Sequence, residues 1–269
     1  MSLSEAYLLR ALVFKCSLIN LLNIDILFLI KVIKMSSYKG HSIFAVLLSL
    51  MFFHNPLTIA LTLIGANIPD FDHEFKQENV YRMIILGLIV FISLYILKLP
   101  YYIGLIIVFL GATFYFSEHR SFTHSIFGAL TLASAVSLIL IWAFQLTTIL
   151  TVLENHYMVM AILIVLLSFL FLNKKVLMVF LPLFFISLFI VPAAEISYIE
   201  IVLALFLGLF SHIILDAFTP AGIKIFAPLS SKKVHRNFGL SMILLLAVLS
   251  ILYHIPILFE LYGHYILAT

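Results

Sequence analysis

Long apolar stretches separated by short polar breaks run through almost the whole chain. From residue 80 onward this pattern predicts seven membrane-crossing helices, at 80–97, 101–116, 125–150, 157–172, 176–192, 199–216 and 238–259. Tight polar connections fall at Lys98-Leu99-Pro100, Glu154-Asn155-His156 and Asn173-Lys174-Lys175. Residues 41–67 are also apolar but are interrupted at His54-Asn55-Pro56, and proline disfavours helix both at its own position and at the one before it. The first arm, 42–53, would be only about 18 Å long as helix, too short to span. A short re-entrant hairpin is therefore expected, returning the chain to the side it left. The expected fold class is all-α: a polytopic transmembrane bundle of about seven spans plus this N-terminal hairpin.

Residues 1–34 are a separate matter. Their apolar segment, about 8–33, is interrupted by Lys15, Asp25 and Lys31 and has no small-residue cleavage site. It is either an extra membrane helix or an upstream extension of a frame starting at Met35, and the second is favoured. The working division is 1–34 as extension and 35–269 as one membrane-embedded domain.

Composition supports the membrane assignment. The 269 residues are 64% hydrophobic and 10% charged, whereas soluble domains are about 45–50% apolar and about 25% charged. The single cysteine, Cys16, excludes an intrachain disulfide and any cysteine-based zinc site. No basic block carries interleaved aromatics, so nucleic-acid binding is not indicated.

The charges divide by membrane side. Counting spans in pairs puts Lys34, Lys39, Lys76, Arg82, Arg120, Lys174, Lys175, Lys224, Lys232, Lys233 and Arg236 on one side. The other side holds Lys98 as its only basic residue, with Glu154, Glu195, Glu200 and Glu260. The positive-inside rule assigns the basic side to the cytoplasm.

The chemistry-bearing residues gather on that same side. After Met35 the only aspartates are Asp70, Asp72 and Asp216, and they share four short motifs with five of the ten histidines: His41, His73, His119, His124 and His212. Structural histidines and aspartates would scatter over both sides. His212 and Asp216 are four apart on a predicted helix, hence on one face, and Thr219-Pro220-Ala221-Gly222 should stop that helix just beyond. Asp70 and Asp72 follow Pro69 in a predicted loop. His119 and His124, five apart, can share a site only if one helix ends near the first and another begins near the second, with Ser121 or Thr123 as N-cap.

A His/Asp set without cysteine suits a divalent transition metal, with zinc first and manganese or iron next. Eight potential ligands exceed the needs of one ion, so one to three ions are expected. Two close ions can clamp an oxyanion and activate a water, and phosphate esters are the natural target. Arg120 is either a bidentate phosphate ligand or a plain topogenic charge. Glu118 is either a base or supporting group, or an ordinary helix-end carboxylate. His54, His156, His235, His254 and His264 are expected to be interfacial or solvated, and Asn67 to be a helix cap rather than a substrate contact.

Gly40-His41, Pro69-Asp70-Phe71-Asp72-His73, His119-Arg120-x-x-Thr123-His124-Ser125 and Ser211-His212-x-x-x-Asp216-x-x-Thr219-x-x-Gly222 resemble the YdjM-like, LexA-regulated family of inner-membrane metal-dependent hydrolases. The resemblance covers about residues 39–228. The family is thought distantly similar to zinc-dependent phospholipase C. The resemblance implies His41, Asp70, His73, His119, His124, His212 and Asp216 as metal ligands, with Asp72 as an additional one. The chain lacks the His-x-x-x-Glu pair of the phospholipase C group, which leaves the number of metals open. The function expected is a hydrolase at the cytoplasmic membrane face, acting on a phosphoester or lipid headgroup with membrane lipids as partners. The alternatives are a metal transporter or sensor with the same ligands, or a purely structural His/Asp network.

Overall fold

A computed structural model describes residues 38–72, 77–117, 120–150 and 155–268, with side chains for all of these except 72, 77 and 256–268. The extension 1–34 and the candidate ligands His73, Glu118 and His119 lie outside the described residues, as does the side chain of Asp72. Among the described residues the chain is all-helical, and an isolated bridge between Ile223 and Val234 is the one β-type pairing. The helices are α1 (Tyr38–Ser49), α2 (Pro56–Gly65), α3 (Gln77–Ile96), α4 (Tyr102–Phe116), α5 (Ile126–Ile149), α6 (His156–Phe171), α7 (Lys174–Ile190), α8 (Tyr198–Asp216) and α9 (Arg236–Ala268).

Helix starts follow side-chain capping chemistry. The Asn55 side chain accepts from Leu57 N at 3.0 Å, with Pro56 in the first turn, so the break expected at His54-Asn55-Pro56 separates α1 from α2. Asn155 and Asn173 cap α6 and α7 in the same way. Ser197 and Glu200 form a reciprocal capping box at the start of α8.

The predicted spans all appear as helices, but not all have spanning length. Four stretches are long and apolar enough to cross a membrane: Glu78–Ile96, Ile126–Ile149, Tyr198–Asp216 and Arg236–Ile255. The helices α4, α6 and α7 have 15, 16 and 17 residues. At 1.5 Å per residue they reach about 22–26 Å, short of a hydrocarbon core about 30 Å thick.

Helix α8 is the central post. Its spanning window is 61% buried, against 17–44% for the other three candidates. It packs on α1, α2, α5 and α9, and Ile201, Leu205, Leu209 and Ile213 are fully enclosed. The pair α3–α4 packs chiefly on itself and turns Leu86, Ile89 and Ile92 outward. In a bilayer such outward apolar residues meet acyl chains, so tight association depends on close backbone packing and not on excluding water.

One such close approach lies where α2 crosses α8. A Cβ on Gly65 would lie 2.6 Å from Leu205 O, and one on Gly208 would lie 2.1 Å from Thr62 O. The two backbones touch because neither residue has a side chain at the crossing. Gly208→Val is expected to separate the helices at a cost of about 1–3 kcal/mol or more, seen as a lower midpoint of thermal unfolding in detergent. Phe189→Ala, at a residue 87% exposed, should change the stability by less than about 0.5 kcal/mol.

Candidate metal centre

Five of the predicted ligands converge at one end of α8. His212 and Asp216 come from its last turn and His41 from the first turn of α1. Asp70 comes from a 3-10 turn, Pro69–Asp72, and His124 from another, Phe122–His124. Pro69 opens the turn that delivers Asp70, and helix α2 has already ended at Gly65.

The separations are those of ligands around a cation. His41 Nε2 is 3.6 Å from Asp216 Oδ1, and His124 Nε2 and His212 Nε2 are 3.5 and 3.6 Å from Asp216 Oδ2. His212 Nε2 is also 3.7 Å from Asp70 Oδ1. Charge-assisted imidazole–carboxylate hydrogen bonds close to about 2.7–2.9 Å. Ligand atoms 2.0–2.1 Å from a tetrahedral zinc stand about 3.3–3.4 Å apart. His41, His212 and Asp216 form one group of potential ligands, and Asp70, His124 and His212 a second. His212 belongs to both. Asp216 turns one oxygen toward His41 and the other toward His124 and His212.

The tautomer of His212 sharpens this. Its Nδ1 lies 2.7 Å from the carbonyl oxygen of Ala66, which can only accept, so Nδ1 carries the hydrogen. In the neutral ring Nε2 then presents a lone pair, and it faces two carboxylate oxygens with no hydrogen-bond partner of its own. His212 is fully buried. Acceptors facing acceptors in an enclosed site repel one another unless a positive charge stands between them. A hydrogen bond from Nδ1 to a backbone carbonyl is also the usual support of a metal-ligating histidine. The ring of His41 stacks on that of His212, with centroids 3.9 Å apart and planes 13° apart, and its Nδ1 has no hydrogen-bond partner either. These residues fit a divalent transition metal.

The surrounding shell comes from residues whose role the sequence does not announce. Thr123 Oγ1 lies 3.0 Å from His124 Nδ1, which leaves Nε2 toward Asp216. Asn67 Nδ2 donates to Leu63 O at 2.8 Å and to Ser42 Oγ at 3.2 Å, so it closes the carbonyl end of α2 and ties it to α1 beside His41. The expected N-cap at Ser121 or Thr123 is corrected. Ser125 caps α5, accepting from Gly128 N at 3.0 Å, because the 3-10 turn occupies 122–124 and the helix starts only at Ile126. Asp216 is followed by an Ala217 C-cap, and Thr219 Oγ1 donates to Asp216 O at 2.7 Å, which fixes the helix end where Thr219-Pro220 was expected to do so.

Arg120 stands at the more open edge. Its Nε is 3.9 Å from Asp216 Oδ2 and its Nη1 donates to Thr219 Oγ1 at 3.3 Å. Its side chain is 31% exposed, against 7% or less for His41, His124, His212 and Asp216. Its backbone is in the left-handed region, with φ 59°.

The other described histidines stand apart from the cluster. The rings of His54 and His254 meet edge to face at 6.1 Å, and that of His156 meets Phe144 at 5.2 Å. His254 is buried and not solvated, and its Nδ1 donates to Ser250 O at 2.7 Å within α9.

Four helices long and apolar enough to cross a membrane, with a buried His/Asp centre at the end of one of them, define an integral membrane protein with a site able to hold a metal ion. Residues 35–266 match the family described as YdjM inner membrane protein, and the chain belongs to that family. No curated protein and no solved structure matches the chain, so the likeness to phospholipase C has no support from either.

Replacing Arg120 separates its side chain from its backbone. Arg120→Gly and Arg120→Ala lose the same guanidinium, but only glycine relieves the left-handed φ. The glycine variant is expected to be about 1 kcal/mol more stable than the alanine variant in thermal or denaturant unfolding. Equal stabilities would show that the left-handed backbone carries no strain.

Proposed function

We propose that this protein is a metal-dependent hydrolase of the inner membrane, acting on a phosphoester or lipid headgroup with its site on the cytoplasmic side. The observation that carries this proposal is His212 Nε2, aimed by the Ala66 carbonyl toward Asp70 and Asp216 in a buried site where the nitrogen–oxygen distances of 3.6–3.7 Å exceed those of direct hydrogen bonds. His41, Asp70, His124, His212 and Asp216 would hold the ion, with zinc as the first candidate. When bound, such an ion acidifies a water and stabilises negative charge on a phosphoryl oxygen.

The chain's own residues do the rest. The Ala66 carbonyl and Thr123 keep His212 and His124 in orientation. Arg120 presents a guanidinium beside the carboxylates on the more open edge, where it binds and orients an anionic ester. The enclosed histidines limit the access of bulk water. The cytoplasmic side is supported by the excess of Lys and Arg on the loops of that side.

A metal transporter is the second reading, and the interruption between α1 and α2 favours it, since transporters place ion sites at broken helices. Against it, the ligands sit at helix ends and in turns rather than midway along the helices.

Metal analysis by mass spectrometry tests the ligand set first. The wild type is expected to hold one to three equivalents of a transition metal, and His212→Ala/Asp216→Ala to hold none. Thr123→Val should weaken metal affinity about 10–100-fold while leaving the site able to bind. Arg120→Ala should keep its metal but lose about 100-fold in cleavage of a phosphodiester in detergent or vesicles. Metal movement into proteoliposomes without any ester cleavage would replace the hydrolase by the transporter. A metal-free wild type after reconstitution would leave a structural His/Asp network.

A further inference from the structure

The chain between α8 and α9 carries a second surface, separate from the ligands. Ile223 N donates to Val234 O at 3.1 Å and Val234 N donates to Ile223 O at 2.9 Å, so residues 224–233 form a loop pinned at its base. Inside it, Ala227 N donates to Lys224 O at 3.0 Å and Ser230 N to Phe226 O at 3.1 Å. The loop is therefore built, and its side chains have assigned directions. Ile223, Ile225 and Ala227 are buried, whereas Phe226 is 50% and Leu229 78% exposed.

These two apolar residues share the loop with Lys224, Lys232 and Lys233, and Arg236 follows at the start of α9. No aspartate or glutamate occurs from 217 to 259. Among the described residues no carboxylate lies within ion-pair distance of these lysines. Both flanking helices, Tyr198–Asp216 and Arg236–Ile255, are long and apolar enough to span the membrane. A loop joining two such helices emerges at the boundary between hydrocarbon and water. Exposed Phe and Leu beside unpaired Lys are what that boundary accommodates, the rings and methyls among acyl chains and the ammonium groups at acidic headgroups.

We propose that the loop 224–233 is an interfacial wedge that inserts Phe226 and Leu229 into the leaflet and holds acidic phospholipid headgroups with Lys224, Lys232 and Lys233. The assignment is independent of whether the metal centre hydrolyses anything. It also has a route to that centre. Ile126 N donates to the Ile225 carbonyl at 3.0 Å, two residues after His124, so the wedge is tied directly to the turn that carries one of the ligands.

The test uses the whole protein in nanodiscs. Its single tryptophan, Trp142, is changed to Phe, and Phe226→Trp or Leu229→Trp is introduced, each at an exposed position. Phosphatidylglycerol or phosphatidylcholine brominated near the headgroup end of its chains is then added at equal mole fraction. Both tryptophans are expected to be quenched, more by shallow bromine than by deep bromine. The acidic label should quench more, with a local enrichment of about fivefold or greater, the factor a single lysine confers near an acidic surface. Lys224→Ser/Lys232→Ser/Lys233→Ser should bring that ratio close to unity. Tryptophans quenched by aqueous acrylamide but not by either lipid would overturn the wedge. Equal quenching by the two lipids, or a ratio unchanged in the lysine variant, would overturn the recognition of acidic headgroups.

Discussion

The hydrogen bond from His212 Nδ1 to the carbonyl of Ala66 is the contact on which the site depends. It joins the last turn of α8 to the residue that closes α2, it sets which ring nitrogen carries hydrogen, and it aims the other at two carboxylates. It exists only because Gly65 and Gly208 let the two backbones meet a turn away. Packing and chemistry are thus one problem in this bundle. A side chain at this glycine crossing would push the helices apart and carry the imidazole away from the carbonyl that orients it.

Burial of this set would be costly if it were left uncompensated. Two carboxylates and three imidazoles come together with one guanidinium at the edge, most of them out of contact with solvent. Desolvating an isolated carboxylate costs far more than a fold of marginal stability can supply. The imidazoles offset part of that charge only if they are protonated or if they share a cation with the carboxylates. The spacings of 3.5–3.7 Å are long for the first arrangement and close to those of the second.

Much of the scaffold was legible in the sequence because membrane helices announce themselves by length of apolar run and by cap chemistry. Asn55-Pro56, Asn155, Asn173 and Ser197 begin helices where local hydrogen bonding says they should. Spanning length was less legible, since an apolar run does not show how many of its residues stay helical. The ligand types were legible from where aspartate and histidine concentrate, and His41, Asp70, His124, His212 and Asp216 do come together. The sharing of one carboxylate among three imidazoles was not, since it depends on how four helices cross. The Ala66 carbonyl was invisible for a simpler reason: every residue has one. The cap of α5 was misplaced because Ser121, Thr123 and Ser125 lie within five residues, and only the 3-10 turn decides among them.

Four helix ends of both signs meet at the centre. Helices α2 and α8 arrive by their carbonyl ends, at Gly65 and Asp216, while α1 and α5 depart by their amide ends, at Tyr38 and Ile126. Each carbonyl end has about half a unit of negative charge and each amide end about half a unit of positive charge. The backbone therefore polarises this pocket before any side chain ionises. A cation and an anion bound side by side would each find a matching pole, whereas either one alone would satisfy only half of the field.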